Sequence, residues 1–377
     1  MLFYFDNAAT TKIKPEILKE MMPYLTEEYG NPSSLYCIGR RGKRAIDTVR
    51  SQVADLINAE KNEIYFTGCG SESDNTAIKG IAKYYKQKGN HIITSKIEHH
   101  AILESCKALE KEGFDITYLN VDKDGFINLG ELENAITDKT ILISIMSANN
   151  EIGTIEPIEK IAQIAKRKNI IFHTDSVQAI GNMKIDVKKI GIDMLSISAH
   201  KIHGPKGVGA LYVRKGIEFD SLINGGHQER NKRAGTENVA GLVGFGKACE
   251  LANKNLYSHI EYLKSLRDYY VSEVQNNISD IKINGSLEHR LPGNSNISFL
   301  GIDSTALLLE LDKMGICTSS GSACNSSENS PSHVLTAIGL DSNTAKSALR
   351  VTFSEFNSKI EVDYLVQCLK NCVEKLR

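Results

Sequence analysis

Neither sign of charge is in excess in this sequence: 45 basic and 46 acidic side chains leave a net −1 over 377 residues. That balance excludes the basic footprint of a nucleic-acid binder and the polybasic face of a membrane-surface protein. Long apolar runs are also missing, and none approaches the roughly 20 residues needed to cross a bilayer. The start, Met1-Leu2-Phe3-Tyr4-Phe5-Asp6, has neither the basic residues nor the extended apolar core of a secretory leader. A cytoplasmic protein is expected, with no direct contact to nucleic acid or membrane. No two of the eight cysteines (37, 69, 106, 249, 317, 324, 368 and 372) have CxxC spacing. No metal site or disulfide framework is therefore expected, and a reducing compartment fits. Cys106 and Cys249 fall in helical patterns and read as core, as do Cys368 and Cys372, four apart on one helix.

What is present is an ordinary globular balance, 41% hydrophobic and 24% charged. The length suggests two or three domains at roughly 150 residues each. From about residue 60 to 213, short apolar runs alternate with amphipathic stretches. Glu63–Thr67, His91–Thr94, Ile116–Leu119, Ile141–Ile145, Ile170–His173, Met194–Ile197 and Ala210–Val213 read as strands. Helices are expected from about Glu72, through Ala101–Leu103, and where Ile158, Ile161, Ala162 and Ala165 recur. This alternation predicts an α/β fold with a mostly parallel sheet covered on both faces. After about 237 the pattern turns to long helices. A smaller mixed region then contains strands at 281–283 and 295–299 and a helix through 305–308. Residues 318–333 are nearly all small or polar, which predicts an exposed, mobile loop.

Ligands of parallel α/β sheets sit beyond the carboxyl ends of the strands, and four polar groups fall there or in the polar loop. Gly68-Cys69-Gly70-Ser71 separates a strand from a helix. It is either an ordinary turn or an anion cradle, because glycine admits close backbone approach and a helix start offers free N–H groups. Asp175 ends another strand; it either caps a helix or faces a protonated ring nitrogen. Lys201, in Ser198-Ala199-His200-Lys201, is either solvated or tucked inward by the glycine-rich run at 204–209. Cys324 lies in the polar loop, where an exposed thiol is a liability unless it is used. His99 and His100 start a helix and either cap it or pack on a ligand.

Taken together and in order, the segments resemble the NifS/IscS type of cysteine desulfurase, in the class V aminotransferase family of pyridoxal-phosphate (PLP) enzymes. The resemblance rests on Asp6-Asn7-Ala8-Ala9-Thr10-Thr11, Gly30-Asn31-Pro32-Ser33-Ser34, Glu72-Ser73-Asp74-Asn75 and Ser95-Lys96-Ile97-Glu98-His99. It continues in Asn149-Asn150-Glu151-Ile152-Gly153, His173-Thr174-Asp175, Ser198-Ala199-His200-Lys201 and Arg233-Ala234-Gly235-Thr236-Glu237-Asn238. It ends with Ser319-Ser320-Gly321-Ser322-Ala323-Cys324. It implies PLP fold type I, with a large domain (14–255) built on a mainly parallel seven-stranded sheet. A smaller α+β domain (1–13 and 256–377) would carry the cysteine loop at about 318–333.

The resemblance also implies roles. Lys201 would bind PLP covalently and move the substrate Cα proton, and Cys324 would take sulfur from L-cysteine as a persulfide, releasing L-alanine. His99 would lie on the ring face, Asp175 would pair with the ring nitrogen and Gln178 with the ring oxygen. Gly70, Ser71, Ser198 and His200 would hold the phosphate, with Thr236 reaching in from the second subunit of a homodimer. Asn150 and Arg350 would take the substrate carboxylate, Asn150 also adjoining the cofactor. The sulfur would pass to an acceptor protein for iron–sulfur cluster assembly or tRNA thiolation. Selenocysteine lyase or another class V aminotransferase is the alternative. Two departures stand out: Gly68-Cys69-Gly70-Ser71 in place of a Ser-Gly-Ala-Thr-like turn, and Ser354-Glu355-Phe356 where some relatives carry Gly-Arg-Phe.

Overall fold

The structure, a computed structural model, describes residues 2–321 and 331–377. Cys324 lies outside the described residues. Among the described residues there are twelve strands: β1 Phe3–Tyr4, β2 Ile64–Thr67, β3 His91–Ser95, β4 Asp115–Leu119, β5 Thr140–Ser144, β6 Ile171–Asp175, β7 Met194–Ser198, β8 Gly209–Val213, β9 Ile281–Ile283, β10 Asn294–Phe299, β11 Ile316–Cys317 and β12 Ala348–Thr352.

Seven of them form one sheet in the order β2-β8-β7-β6-β5-β3-β4. Only β8 runs against the rest, antiparallel to both β2 and β7. The other six therefore point the same way and deliver their carboxyl ends to one edge. Every residue of β3, β5, β7 and β8 is buried. That is why they read as near-continuous apolar runs without alternation, as strands covered on both faces do.

The period of two survives in which layer each side chain enters. Ile92, Leu142, Met194 and Leu211 pack under the helices Gly70–Tyr85 and His100–Glu110, with Ala77, Ile78, Ile81, Ile102 and Cys106. Ile93, Ile143, Leu195 and Tyr212 point to the other layer, into Val49, Ile161, Ala165, Leu242 and Phe245. Cys106, Cys249, Cys368 and Cys372 are all buried, as their helical spacing predicts.

A second apolar cluster lies on the antiparallel sheet β9-β10-β12, where Phe5, Tyr270, Ile297, Phe299, Val351 and Leu369 meet. The helix Val239–Asn277 contributes to both clusters, with Leu242 and Phe245 to the first and Leu266 and Tyr270 to the second. β1 pairs in parallel with β11. The chain start is thereby bound to the segment just before residue 318.

Several boundaries shift by a residue or two from the sequence reading, and two of these shifts bear on the site. The helix expected from about Glu72 opens at Gly70, two residues early, because the extended Cys69 serves as its N-cap. β6 runs on to Asp175, so that carboxylate belongs to the strand itself. The expected exposure of residues 318–333 fails at their described front end: Ser319 and Gly321 are buried, and Ser319 pairs backbone to backbone with Arg350. Small residues here fit under a wall instead of facing water.

Ile143 is fully buried in the interior strand β5. Ile143→Ala should cost about 2–5 kcal/mol and Ile143→Val about 0.5–1.5 kcal/mol, read from urea unfolding of the cofactor-free protein. Equal midpoints for wild type and Ile143→Ala would contradict this placement.

Candidate active site

The shared carboxyl edge of the sheet opens into a cavity of about 300 Å³, lined among others by Ala8, Gly70, His99, Asp175, Lys201 and Arg350. Asn150, Gln178, Ser71, Ser198 and His200 also line it. Ten residues assigned from the sequence are therefore neighbours in space.

At one end sits the turn between β2 and its helix. A Cβ on Gly70 would come within 2.7 Å of Val177 Cγ2 and 3.5 Å of Ser198 Cβ, so a larger residue would have to displace Val177. The hydroxyls of Thr67 and Ser73 hydrogen-bond at 2.8 Å, and Ser73 also donates to Ala210 O at 3.1 Å. These contacts fix the turn so that the helix start faces the cavity, a ready site for an anion. Across from it, the Ser198 hydroxyl is buried without a hydrogen-bond partner. A buried polar group left in that state normally has a ligand to satisfy it. His200 completes this end, held by Thr10 Oγ1 at 3.1 Å from its Nδ1.

In the middle, Asp175 accepts the Val177 N–H at 2.9 Å. Burial raises its pKa to about 6, against the lowering effect of that N–H and of Lys201. A cation beside it would hold it ionised. Lys201 follows β7 in a tight turn, and its Nζ donates to the carbonyls of Ala8 and Ala9. Gln178 Nε2 donates to the same Ala8 carbonyl at 2.9 Å. His99 Nδ1 accepts the Ala101 N–H at 3.1 Å, which leaves the proton of the neutral ring on Nε2. Burial, followed by Lys201 and the neighbouring imidazoles, pushes the His99 pKa down to about 4.

At the far end, the buried Arg350 meets Asp6 Oδ1 at 2.7 Å through Nη2 and the Asn150 carbonyl at 3.0 Å through Nη1. Its Nε is buried and unpartnered, a donor still available for a carboxylate.

Thr236 is exposed and is not among the residues lining the cavity of its own chain. Other cavity residues received no role from the sequence, among them Ala8, Ala9, Asp74, Glu151 and His333. For the first two a signal existed. A run of small and polar residues beside a short strand lets a backbone approach a charged side chain closely.

A family model described as aminotransferase class-V matches residues 3–365. The chain is 54% identical to the cysteine desulfurase IscS of Clostridium botulinum (strain Hall), over 99% of this chain and 95% of that one. The chain belongs to the cysteine desulfurases of the aminotransferase class-V family. Among solved structures this desulfurase is similar to a NifS-like protein, 39% identical with a TM-score of 0.94 and both chains covered in full. It is also similar to SspA in complex with cysteine, 38% identical with a TM-score of 0.84, over 94% of this chain and all of the other. Enzymes of this family depend on PLP, and the desulfurase's own residues fit that cofactor. The glycine cradle and the unpartnered Ser198 hydroxyl suit a phosphate, and the buried Asp175 suits a cationic ring nitrogen.

Burial likewise pushes His200 down to about 4, helped by Lys201 and Lys206. Both imidazoles carry folded values below the unfolded one near 6.5. The stability they contribute is therefore complete above about pH 6.5 and is lost as pH falls toward about 4. In the cofactor-free protein, ring NMR shifts of His99 and His200 should stay flat between about pH 5.5 and 8. A midpoint near 6.5 for either would refute the burial argument.

Proposed function

We propose that this chain takes sulfur from L-cysteine in the cavity at the sheet's carboxyl edge, releasing L-alanine and leaving a persulfide on Cys324. What most supports this reading is the convergence of Asp175 at the end of β6, Lys201 after β7 and Arg350 from β12 on one cavity. Bound PLP supplies an electron sink for charge developing at the substrate Cα.

The chain's residues do the rest. Lys201 holds the cofactor and moves the Cα proton, for which a neutral amine is required. Asp175 pairs with the ring nitrogen, and Gln178, anchored on Ala8, serves the ring oxygen. His99, neutral with its proton on Nε2, would stack on the ring face and shuttle protons. Gly70, Ser71, Ser198 and His200 take the phosphate, joined in a homodimer by the partner subunit's Thr236. Arg350 and Asn150 hold the substrate carboxylate; a planar guanidinium suits that pairing, and Asp6 keeps it aimed. The Cys324 thiolate attacks the substrate sulfur. The new S–S bond forms as the Cβ–S bond breaks, and the carbon skeleton gains a proton and leaves as alanine. Atoms balance as L-cysteine plus thiol giving L-alanine plus persulfide.

The persulfide sulfur then passes to an acceptor protein in the cytoplasm, for iron–sulfur assembly or tRNA thiolation. We also read residues 14–255 as the large domain, and 1–13 with 256–377 as the small one; an apolar cluster whose buried members are Phe5 and residues between 263 and 373 supports this.

Incubated with PLP and L-cysteine, the protein should release L-alanine. Lys201→Ala should slow that release by about 10²–10⁴-fold. Cys324→Ala should abolish the protein-bound persulfide detected by thiol-specific alkylation and mass spectrometry. Full turnover by Cys324→Ala would remove Cys324 from the reaction. Transfer to a 2-oxo acid, or a preference for selenocysteine indifferent to Cys324, would favour the alternative activities.

A further inference from the structure

Glu72 and Arg233 lie 161 residues apart, yet they form a two-pronged ion pair: Nε to Oε1 at 2.9 Å and Nη2 to Oε2 at 3.3 Å. The same Glu72 Oε2 accepts the Gly68 N–H at 2.7 Å. One carboxylate thus ties the start of the Gly68–Ser71 turn to the segment that carries Thr236. Two glycines flank the pair. A Cβ on Gly68 would lie 2.8 Å from Glu72 Oε2, and one on Gly235, at φ +115°, would lie 3.1 Å from Arg233 Nη1. Gly68 adjoins the cavity turn and Gly235 directly precedes Thr236, so the ion pair is wedged between the two elements.

The segment before Arg233 is held in a conformation that side chains resist. Glu229, Arg230 and Asn231 all have positive φ, at 45°, 56° and 65°. Such backbone persists only where surrounding contacts over-determine it. Here they do. Arg50 grips Glu229 with two bonds of 2.7 Å, and Glu229 Oε2 also accepts the Phe66 N–H at 2.9 Å. Arg230 donates to Ile64 O at 2.7 Å. Both partners lie on β2, the strand that runs into the turn. The segment is therefore built onto β2 and then latched to the turn by Arg233.

We propose that the Glu72–Arg233 pair is a positioning device for the cofactor's phosphate. It shapes the turn from one side, cancels the negative charge of Glu72 beside the anion, and aims the segment bearing Thr236. This rests on the assignment of Gly70, Ser71 and Thr236 to the phosphate and extends it to two residues that do not line the cavity. In a homodimer, the same pair links the turn of one site to the threonine serving the other.

The test compares PLP with pyridoxal, which lacks only the phosphate, by visible-absorbance titration of the cofactor-free protein. Glu72→Ala and Arg233→Ala should each weaken PLP binding about tenfold and change pyridoxal binding by less than about twofold. The double variant should bind PLP no worse than the weaker single one, because both changes remove one interaction. Arg233→Lys, which keeps the charge and loses the fork, should fall between and serves if Arg233→Ala does not fold. Equal losses for PLP and pyridoxal, no loss for either, or multiplying losses in the double variant would overturn the proposal. A wild type that binds both equally would overturn the phosphate assignment beneath it. Neither readout depends on turnover of L-cysteine.

Discussion

Everything at the site hangs on a short stretch of backbone near the chain start, residues 6–11. The carbonyls of Ala8 and Ala9 receive the Lys201 amine, and Ala8 also receives Gln178. Asp6 receives Arg350, while Thr10 and Thr11 bond to His200, the first through its ring and the second through its carbonyl. Four groups from three other parts of the chain are thus positioned by one strip. The strip is itself fixed. Thr352 O accepts from Asn7 Nδ2 at 2.7 Å, and Thr352 Oγ1 accepts from the Ala8 N–H at 2.9 Å. Two alanines at the centre have a physical reason: larger side chains would fill the cavity their backbone borders. Carbonyl dipoles hold an ammonium group without ionising against it, so the lysine stays able to exchange that contact for a covalent one.

The electrostatics follow from burial. Around the ring-nitrogen end of the cavity, carboxyl groups outnumber local cations. Burial, followed by the nearby Asp175, raises Asp74 well above its ordinary value. Burial takes Glu98 up to about 8, although Ser95 and the Met146 N–H hydrogen-bond to it. The same low polarity drives imidazoles the other way, with His173 beneath Asp175 pushed down to about 3 by burial alone. A region of such low polarity disfavours a lone charge of either sign, so a cation beside Asp175 would hold that carboxylate ionised and be stabilised by it in return. The opposite end, with helix N–H groups and an unpartnered hydroxyl, favours an anion. A ring cation joined to a phosphate matches that polarity along one axis.

Local patterns carried much of this into the sequence. Ile92-Ile93, Leu142-Ile143 and Met194-Leu195 announce strands because adjacent residues enter opposite apolar layers. Gly70, Asp175 and Lys201 are visible because each directly follows or ends such a strand. What stayed hidden depends on pairings far apart in sequence, such as Ala8 with Lys201 or Glu72 with Arg233. No spacing rule reports those contacts. The role of Asp6 was equally hidden, since an acid near a chain start has no distinctive local pattern. Residues 318–321 misled for a related reason. Small polar composition signals exposure only when nothing packs above it, and here the Arg350 strand does.

The Ser354-Glu355-Phe356 departure acquires a meaning in the same geometry. Glu355 bonds Lys14 at 2.5 Å and stands 3.4 Å from His259. Burial alone would raise its pKa, but hydrogen bonds from His259 and Lys14 outweigh it and hold the value near 2. Phe356 meets the His203 ring edge-on at 5.3 Å, and His203 in turn bonds Lys12 O at 2.9 Å. The far end of the N-terminal strip is thereby tied to the segment following β12, as Asp6 ties its near end to Arg350 within β12. A half-buried ion pair of this kind adds little to global stability by itself. Its consequence is directional: with both ends held against one strand, the carbonyls of Ala8 and Ala9 cannot slide relative to Arg350. The distance between the amine site and the carboxylate site is then set by covalent geometry along residues 6–9.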